Sequence, residues 1–308
     1  MARIIITTFG STGDLNPFIA LGLALRSNGH EAVFAVEANF EQQVSSLGFP
    51  LRLLTGDQAE ALAPHNHQIF NSDQPLTSLK LLVDRYILPS LPAKIAELRE
   101  ICQEADLLIS VAPQFAASIV AEMLQIPWIS VILTPSTLPS ASIAVQPMRV
   151  PMPVPLQRLS NRFSWFLGGM LLRRMVDKPV NQLRRTLRVP PRSNLMWTGN
   201  LSPRFTALAV SPALVPRPHD WPDYVQVTGF CFWDGSADWQ FPEQRKAGVW
   251  IPRKRYTARR AGQALKALLD VPTYQEQARK IQAQVLQEDG VAALCAAVEQ
   301  VLYDKIED

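Results

Sequence analysis

The stretch RIIITTFGSTGDLNPFIALGLALRSNGHEAVFAV, residues 3–36, decides the fold. Arg3–Phe9 is a continuous, β-branched run, the pattern of a strand buried on both faces in a parallel sheet. Asn16-Pro17 reads as a helix start, with Asn as N-cap and Pro at the first helical position. Phe18, Leu21 and Leu25 give that helix an apolar face, and Asn28-Gly29-His30 stops it. Glu31–Val36 is a second strand. Together they make a β-α-β unit. Ligands of open α/β sheets bind outside the carboxyl ends of the strands, so the turn Phe9–Pro17 faces the ligand.

Working outward, Leu51–Leu54, Asp106–Val111, Trp128–Thr134, Thr206–Val210 and Val225–Phe230 read as further strands. Helical patterns lie between them: a short one ending at Leu47, Leu76–Cys102 with breaks near Pro89 and Pro92, Pro113–Leu124, and about 158–188. Strands alternating with helices predict an α/β fold with a doubly wound, Rossmann-like parallel sheet. Residues 55–75 and 135–157 read as long loops. After a Trp- and Asp-containing linker, Cys231–Glu243, the pattern changes. At most one strand, Gly248–Pro252, precedes a helix capped by Thr257, a helix opened by the capping box Thr273-Tyr-Gln-Glu276, and a last helix Val291–Tyr303 after Gly290. That is too little for a second sheet domain.

Gly10 and Gly13 let the first turn bend tightly and approach a ligand, Ser11 and Thr12 offer hydroxyls, and a helix N-terminus favours an anion. The turn lacks the third glycine of a dinucleotide fingerprint and the Gly-Lys-Ser/Thr of a phosphate-binding P-loop. Asp14 is its one carboxylate. A carboxylate facing a cleft can take a proton from an alcohol as that oxygen attacks an electrophile, in a transfer concerted with bond formation. The spacing alone leaves open a plain turn in which Asp14 supports the helix dipole.

Composition bounds the rest. Of 308 residues, 47% are hydrophobic and the net charge is +3, which fits a globular chain without a nucleic-acid footprint. Cys102, Cys231 and Cys295 are far apart and odd in number, which argues against a disulfide framework and for a reducing, cytoplasmic compartment. The N-terminus has no signal-peptide pattern, and Phe163–Leu172 is too short to span a bilayer. His65 and His67, with Asp57 and Glu60 nearby, are weak as metal ligands, and nothing in the pattern requires a metal or a resident cofactor.

Ile4–Leu25 with Gly29-His30-Glu31 resembles the N-terminal domain of GT-B glycosyltransferases. The likeness is greatest to the bacterial and fungal branch that includes sterol glucosyltransferases and macrolide and glycopeptide-antibiotic glycosyltransferases. Related plant and animal enzymes carry a catalytic His where this sequence has Asp14. The resemblance therefore implies that Asp14 deprotonates an acceptor hydroxyl, with Gly10, Ser11, Thr12 and Gly13 beside the phosphates of a nucleotide sugar such as a UDP-hexose. Trp128–Pro135 resembles the strand and loop beside the acceptor pocket, which makes Thr134 a substrate contact. Ser236–Pro242 resembles the interdomain linker. Gly248–Thr257 and Tyr274–Val301 resemble the close of the donor domain, with Gln287–Val291 its final turn. The likeness covers about 1–241 and 248–305. It implies an acceptor-binding domain over 1–241, then a linker and a truncated, mostly helical donor-domain remnant over 242–308. The implied reaction is inverting transfer of a hexose to a hydroxyl of a lipid, sterol or polyketide-like acceptor.

The family's donor domain holds its nucleotide through a His-x-Gly-Gly type motif. Here the four histidines are His30, His65, His67 and His219, all before the linker, and the later glycines Gly248, Gly262 and Gly290 are isolated. A βαβ half-sheet would need on the order of a hundred residues more. The sequence thus points to an internal deletion of the nucleotide-sugar site, natural or arising in the gene model. Two alternatives stand beside an active enzyme: a lipophilic-ligand-binding remnant, and a subunit that pairs with a donor-domain chain in trans. Gly168-Gly169, the one Gly-Gly pair, reads as close packing. Trp221, Tyr224, Trp233, Trp239 and Trp250 read as a plug for a cleft or interdomain seam. From Arg158 to Arg192 nine basic residues face only Asp177. Phe163, Trp165, Phe166, Leu167 and Met170 interleave with the first of them, giving either a peripheral membrane contact or a helix with a solvated basic face.

Overall fold

The computed structural model describes residues 1–56, 75–143, 153–233 and 257–307. Seven strands form one sheet: β1 (Arg3–Thr7), β2 (Glu31–Glu37), β3 (Leu51–Leu54), β4 (Leu107–Val111), β5 (Trp128–Ile132), β6 (Phe205–Leu208) and β7 (Val225–Val227). Their order is β3-β2-β1-β4-β5-β6-β7, and every pairing is parallel. The chain moves outward from β1 through β2 to β3, then returns to β4 on the other side of β1. The gap between β1 and β4 is therefore the switch point at which such sheets open a ligand crevice.

Among the described residues ten α-helices accompany the sheet: α1 (Thr12–Ser27), α2 (Glu41–Ser46), α3 (Pro75–Leu82), α4 (Leu88–Ile101), α5 (Phe115–Leu124), α6 (Val154–Leu172), α7 (Lys178–Thr186), α8 (Ala258–Asp270), α9 (Pro272–Val285) and α10 (Gly290–Glu307). Successive residues of β1 point to opposite faces, as strand geometry requires. Ile4 and Ile6 join Leu15 and Phe18 of α1 and Leu294 and Val298 of α10. Ile5 joins Leu91 and Ile95 of α4, Ile119 of α5 and Val180 of α7. The result is three layers, helix–sheet–helix. Among the described residues the helices after residue 256 bring no second sheet.

The last helix is part of the first core. Cys231 and Cys295 lie in the same apolar cluster as Ile4. Gly290 lets α10 begin against the chain leaving β7, since a Cβ there would stand 2.5 Å from the Gly229 carbonyl oxygen. His30, in the α1–β2 turn, meets Glu299 of α10 through Nε2 at 2.8 Å. All three cysteines are free, and burial pushes the Cys102 and Cys231 thiols up to about 12, so they stay protonated.

Three local expectations need correction. Helix α1 starts at Thr12 with Ser11 as N-cap, not at Asn16-Pro17. Ser11-x-x-Asp14 is itself a capping pattern, and it wins because it satisfies backbone donors earlier than Asn16 can. The chain does not break at Pro89 or Pro92. A π-helical turn, Val83–Ile87, links α3 to α4, and a second, Arg173–Asp177, links α6 to α7. Each wide turn is followed by a proline at the second residue of the next helix, Pro89 and Pro179, and gives room to a ring that an ordinary turn would clash with. Helix α9 begins at Pro272 with Val271 as N-cap, so the box at Thr273 does not form. Proline at the first position pre-sets the helical φ and starts the helix two residues sooner.

The basic run also divides. Arg184 is fully buried, donating to the Pro190 carbonyl at 2.7 Å and to Glu122 at 2.6 Å, and burial lowers its pKa. Arg192 reaches the same Glu122 at 3.2 Å and lies over the Trp128 ring. Arg184 is internal and Arg192 half-buried, and both are engaged by Glu122. Gly168 and Gly169 do serve close packing: the Trp197 ring lies about 3.1 Å from where either Cβ would be.

Candidate functional site

The turn leaving β1 is built around one carboxylate. Asp14, the third residue of α1, folds back so that its Oδ2 accepts the Ser11 N–H at 2.7 Å and the Ser11 hydroxyl at 2.8 Å. Gly10 makes room for it. Gly10 has φ +113, and a Cβ there would fall 2.5 Å from Asp14 Oδ2. Gly13 is less constrained, because its Cβ would meet Ser11 Oγ at an ordinary 3.5 Å. The Thr8 hydroxyl donates to the Asp14 carbonyl at 3.2 Å and ties the turn to the end of β1. Among the described residues Asp14 Oδ1 accepts no hydrogen bond, and the residue is half-buried. The carboxylate is thus held in one orientation with one oxygen open.

The structure separates the roles of the two hydroxyl residues. Ser11 spends its hydroxyl on Asp14, while Thr12 is exposed at the first helical position. Thr12 and Gly13 have no carbonyl one turn back, so their N–H groups are open at the helix start. Asp14 already occupies the place that the helix dipole offers to an anion.

Thr134 lies two strands from β1, at the end of β5, on the same carboxyl edge of the sheet. It is exposed, caps the short 3-10 turn Pro135–Thr137, and has its Oγ1 3.0 Å from Ser136 Oγ. Farther along, Asp220 accepts the Ser140 hydroxyl at 2.8 Å and the Ala141 N–H at 2.7 Å, which anchors this segment. Burial alone would raise the Asp220 pKa, but these two hydrogen bonds, with its own backbone N–H and the neighbouring His219, together outweigh it and hold the carboxyl below its ordinary value.

Sequence reading missed a second group beside the first turn. Glu37 ends β2 almost fully buried, and Lys94 of α4 donates to it at 2.6 Å. The Tyr86 hydroxyl donates to Glu37 and accepts from Lys94 at 2.9 Å. The Lys94 ammonium also sits 4.3 Å from the Tyr86 ring centre and 6.0 Å from that of Phe9, the residue that opens the turn. Gln114, after β4, donates to the Thr7 hydroxyl at 2.6 Å and so stitches the two sides of the switch point together. Its Oε1 is buried without a partner. Phe9, Tyr86, Lys94 and Gln114 line a cavity of about 20 Å³, room for one water and not for a lipophilic ligand. A larger cavity, about 740 Å³, lies between His30, Asp106 and Tyr303 at the opposite edge of the sheet. The available signal was a charge at the end of an apolar strand, Glu37, and one inside an apolar helical pattern, Lys94.

Some expected features lie outside the described residues: the loop with Asp57, Glu60, His65 and His67, the strand Gly248–Pro252, Trp239 and Trp250, and much of both long loops. Trp221 is buried with Ile132 and Leu138 and fills a third core cluster, and Trp233 packs at the edge of the first. Among the described residues no three His, Cys, Asp or Glu side chains converge as a metal would need. No described helix is long and apolar enough to cross a membrane.

Comparison with known proteins gives this edge a context. Residues 4–143 match the glycosyltransferase family 28 N-terminal domain. The chain is 28% identical over 239 residues to a sterol 3-beta-glucosyltransferase of Yarrowia lipolytica, covering 76% of this chain and 16% of that protein. It is 29% identical over 243 residues to an O-mycaminosyltylonolide 6-deoxyallosyltransferase of Streptomyces fradiae, covering 75% and 55%. The fold is similar to the crystal structure of the glycotransferase of kitacinnamycin, with TM-score 0.53 and 17% identity over 80% of this chain and 56% of that one. The chain thus spans between about one sixth and just over half the length of these curated relatives.

Proposed function

We propose that this chain, whose N-terminal part is a GT-B-type glycosyltransferase domain covering part of a larger enzyme, supplies the acceptor-side half of a hexosyltransferase. Asp14 is the base in this reading. Its open Oδ1 takes the proton of an acceptor hydroxyl as that oxygen displaces the nucleoside diphosphate from the anomeric carbon, with inversion. Ser11 holds the carboxylate in position. Thr12 and the open N–H groups beside it face the donor side, and Thr134 touches the acceptor. The acceptor is lipid-, sterol- or polyketide-like and the donor a nucleotide sugar of UDP-hexose type. Donor-binding residues come from chain beyond the described residues or from a separate donor-domain chain.

The observation that carries this reading is the single oriented carboxylate, one oxygen bonded twice and the other open, at the switch point of the sheet. Supplying UDP-glucose and a sterol acceptor, with and without a relative's donor domain added in trans, tests it. Sugar transfer that falls about 10²–10⁴-fold in Asp14→Asn supports the assignment. Transfer that survives that substitution overturns it.

A second reading is favoured by one observation: the described residues hold a single sheet and no second one. In it the chain binds a lipophilic ligand without chemistry. Calorimetry with UDP-glucose separates the two, since the binding module takes up the lipophilic ligand and releases no heat with the nucleotide sugar.

A further inference from the structure

Helix α6 has two unlike sides. The inner side is fully engaged. Trp165 donates from Nε1 to the Ile143 carbonyl at 2.8 Å, Asn161 donates to the Ala141 carbonyl at 2.8 Å, and Gly168 and Gly169 receive the Trp197 ring. These contacts fix the rotation of the helix and leave its outer side no way to turn inward.

The outer side is apolar. Leu156, Leu159, Phe163, Phe166, Leu167 and Met170 are each exposed, Phe163 and Phe166 by 64% and 67%. At about 100° per residue these six fall within one arc of roughly 100°, a stripe along the whole 19-residue helix. Contiguous apolar surface of this kind is uncommon on a monomer and marks a place of contact. Arg158 and Arg162 are exposed beside the stripe, and Arg173 and Arg174 are exposed at its end. No Asp or Glu occurs between Glu122 and Asp177, and Asp177 is buried, accepting the Asn194 and Leu195 N–H groups.

We infer that the outer face of α6 docks on an anionic lipid bilayer, with the stripe set among the acyl chains and the four arginines at the headgroups. An apolar stripe bordered by cations is the pattern of a helix that lies in the membrane interface. Charge selects this occupant over a second copy of the chain. Self-association through the same face would bring arginines against arginines with no carboxylate on the helix to answer them. Helix α6 is bonded to Ala141 and Ile143, in the segment that leaves the carboxyl end of β5, so docking would bring that segment toward the bilayer. Only the use of that placement, to collect a lipophilic acceptor, rests on the glycosyltransferase reading. The docking itself stands on the helix.

Flotation of the full chain with vesicles tests it, without donor sugar, so that its outcome is separate from that of transfer. Vesicles of phosphatidylcholine with 30% phosphatidylglycerol, about 30% being enough charge to hold a basic face, should carry the protein upward, and pure phosphatidylcholine should carry about tenfold less. The double variant Phe163→Ser/Phe166→Ser should lose about tenfold in binding to the anionic vesicles. Arg158→Glu/Arg162→Glu should lose as much, and the wild-type binding should fall with added salt. All four positions are exposed, so the thermal unfolding of both variants should match the wild type. Equal binding to both vesicle types, binding that both variants retain, or a wild-type dimer in light scattering that F163S/F166S abolishes would each overturn the inference.

Discussion

Asp14 and Glu37 are carboxylates at the same edge of the sheet, just past β1 and at the end of β2, and they live under opposite rules. Asp14 is half-buried, held only by its serine neighbour, and keeps one oxygen open. Glu37 is 1% exposed, faces an ammonium at 2.6 Å and receives a phenol. A buried charge tolerates no loss of its partner, whereas a half-buried carboxylate held by neutral donors keeps an oxygen for a ligand. The first arrangement suits chemistry. The second suits holding Phe9, and with it the turn, in place.

Removing the ammonium strikes the comparison hardest. Lys94→Ala takes the ammonium away from the buried Glu37 charge and should cost about 3–5 kcal/mol in urea unfolding. A loss below about 1 kcal/mol would place Glu37 with Asp14 as a solvated group. Gly10→Ala comes next. It forces a Cβ onto the Asp14 carboxylate at a positive φ and should destabilise by about 1–3 kcal/mol, with the Asp14→Ala background relieving part of the loss. Asp14→Ala alone removes the acceptor of the Ser11 N–H and should cost about 1 kcal/mol, a cap's worth. A cost as large as that of Lys94→Ala would make Asp14 a structural charge after all.

The smallest effect belongs to a third carboxylate, Asp220, which is more exposed than either. Its pKa is depressed in the fold, so its contribution is complete above the unfolded value of about 4 and is lost as pH falls through the folded value. In Asp220→Asn the acid limb of the stability curve should flatten by less than about 1 kcal/mol, because the group is largely in water. Thermal melts between pH 5 and pH 2 read this directly.

The central strands were legible because each is a short apolar run that only a sheet covered on both faces can hold, Ile4–Ile6 and Leu107–Val111 above all. The end of α1 at Asn28-Gly29 was legible too, where Gly29 adopts φ +85. Its beginning was misread because Asn16-Pro17 and Ser11-x-x-Asp14 are both valid starts, and only the earlier one also satisfies the turn. The Glu37–Lys94 pair was hidden because its members stand 57 residues apart, and no local period links them. The two sides of α6 were visible as composition, but which side met the core depended on Trp197 and the 141–143 backbone, far along the chain.

The bridge between His30 and Glu299 spans 269 positions. During synthesis α1 leaves the ribosome long before α10 exists. At rates of about 5–20 residues per second, one face of the nascent sheet stays wet for on the order of ten seconds or more. The apolar side of α1 must wait, shielded by a chaperone or by transient collapse, for the helix that will roof it. That face is closed by a helix made 269 positions after it opens, and a ribosome stalled before residue 290 would hold a sheet open to every other unfinished chain nearby.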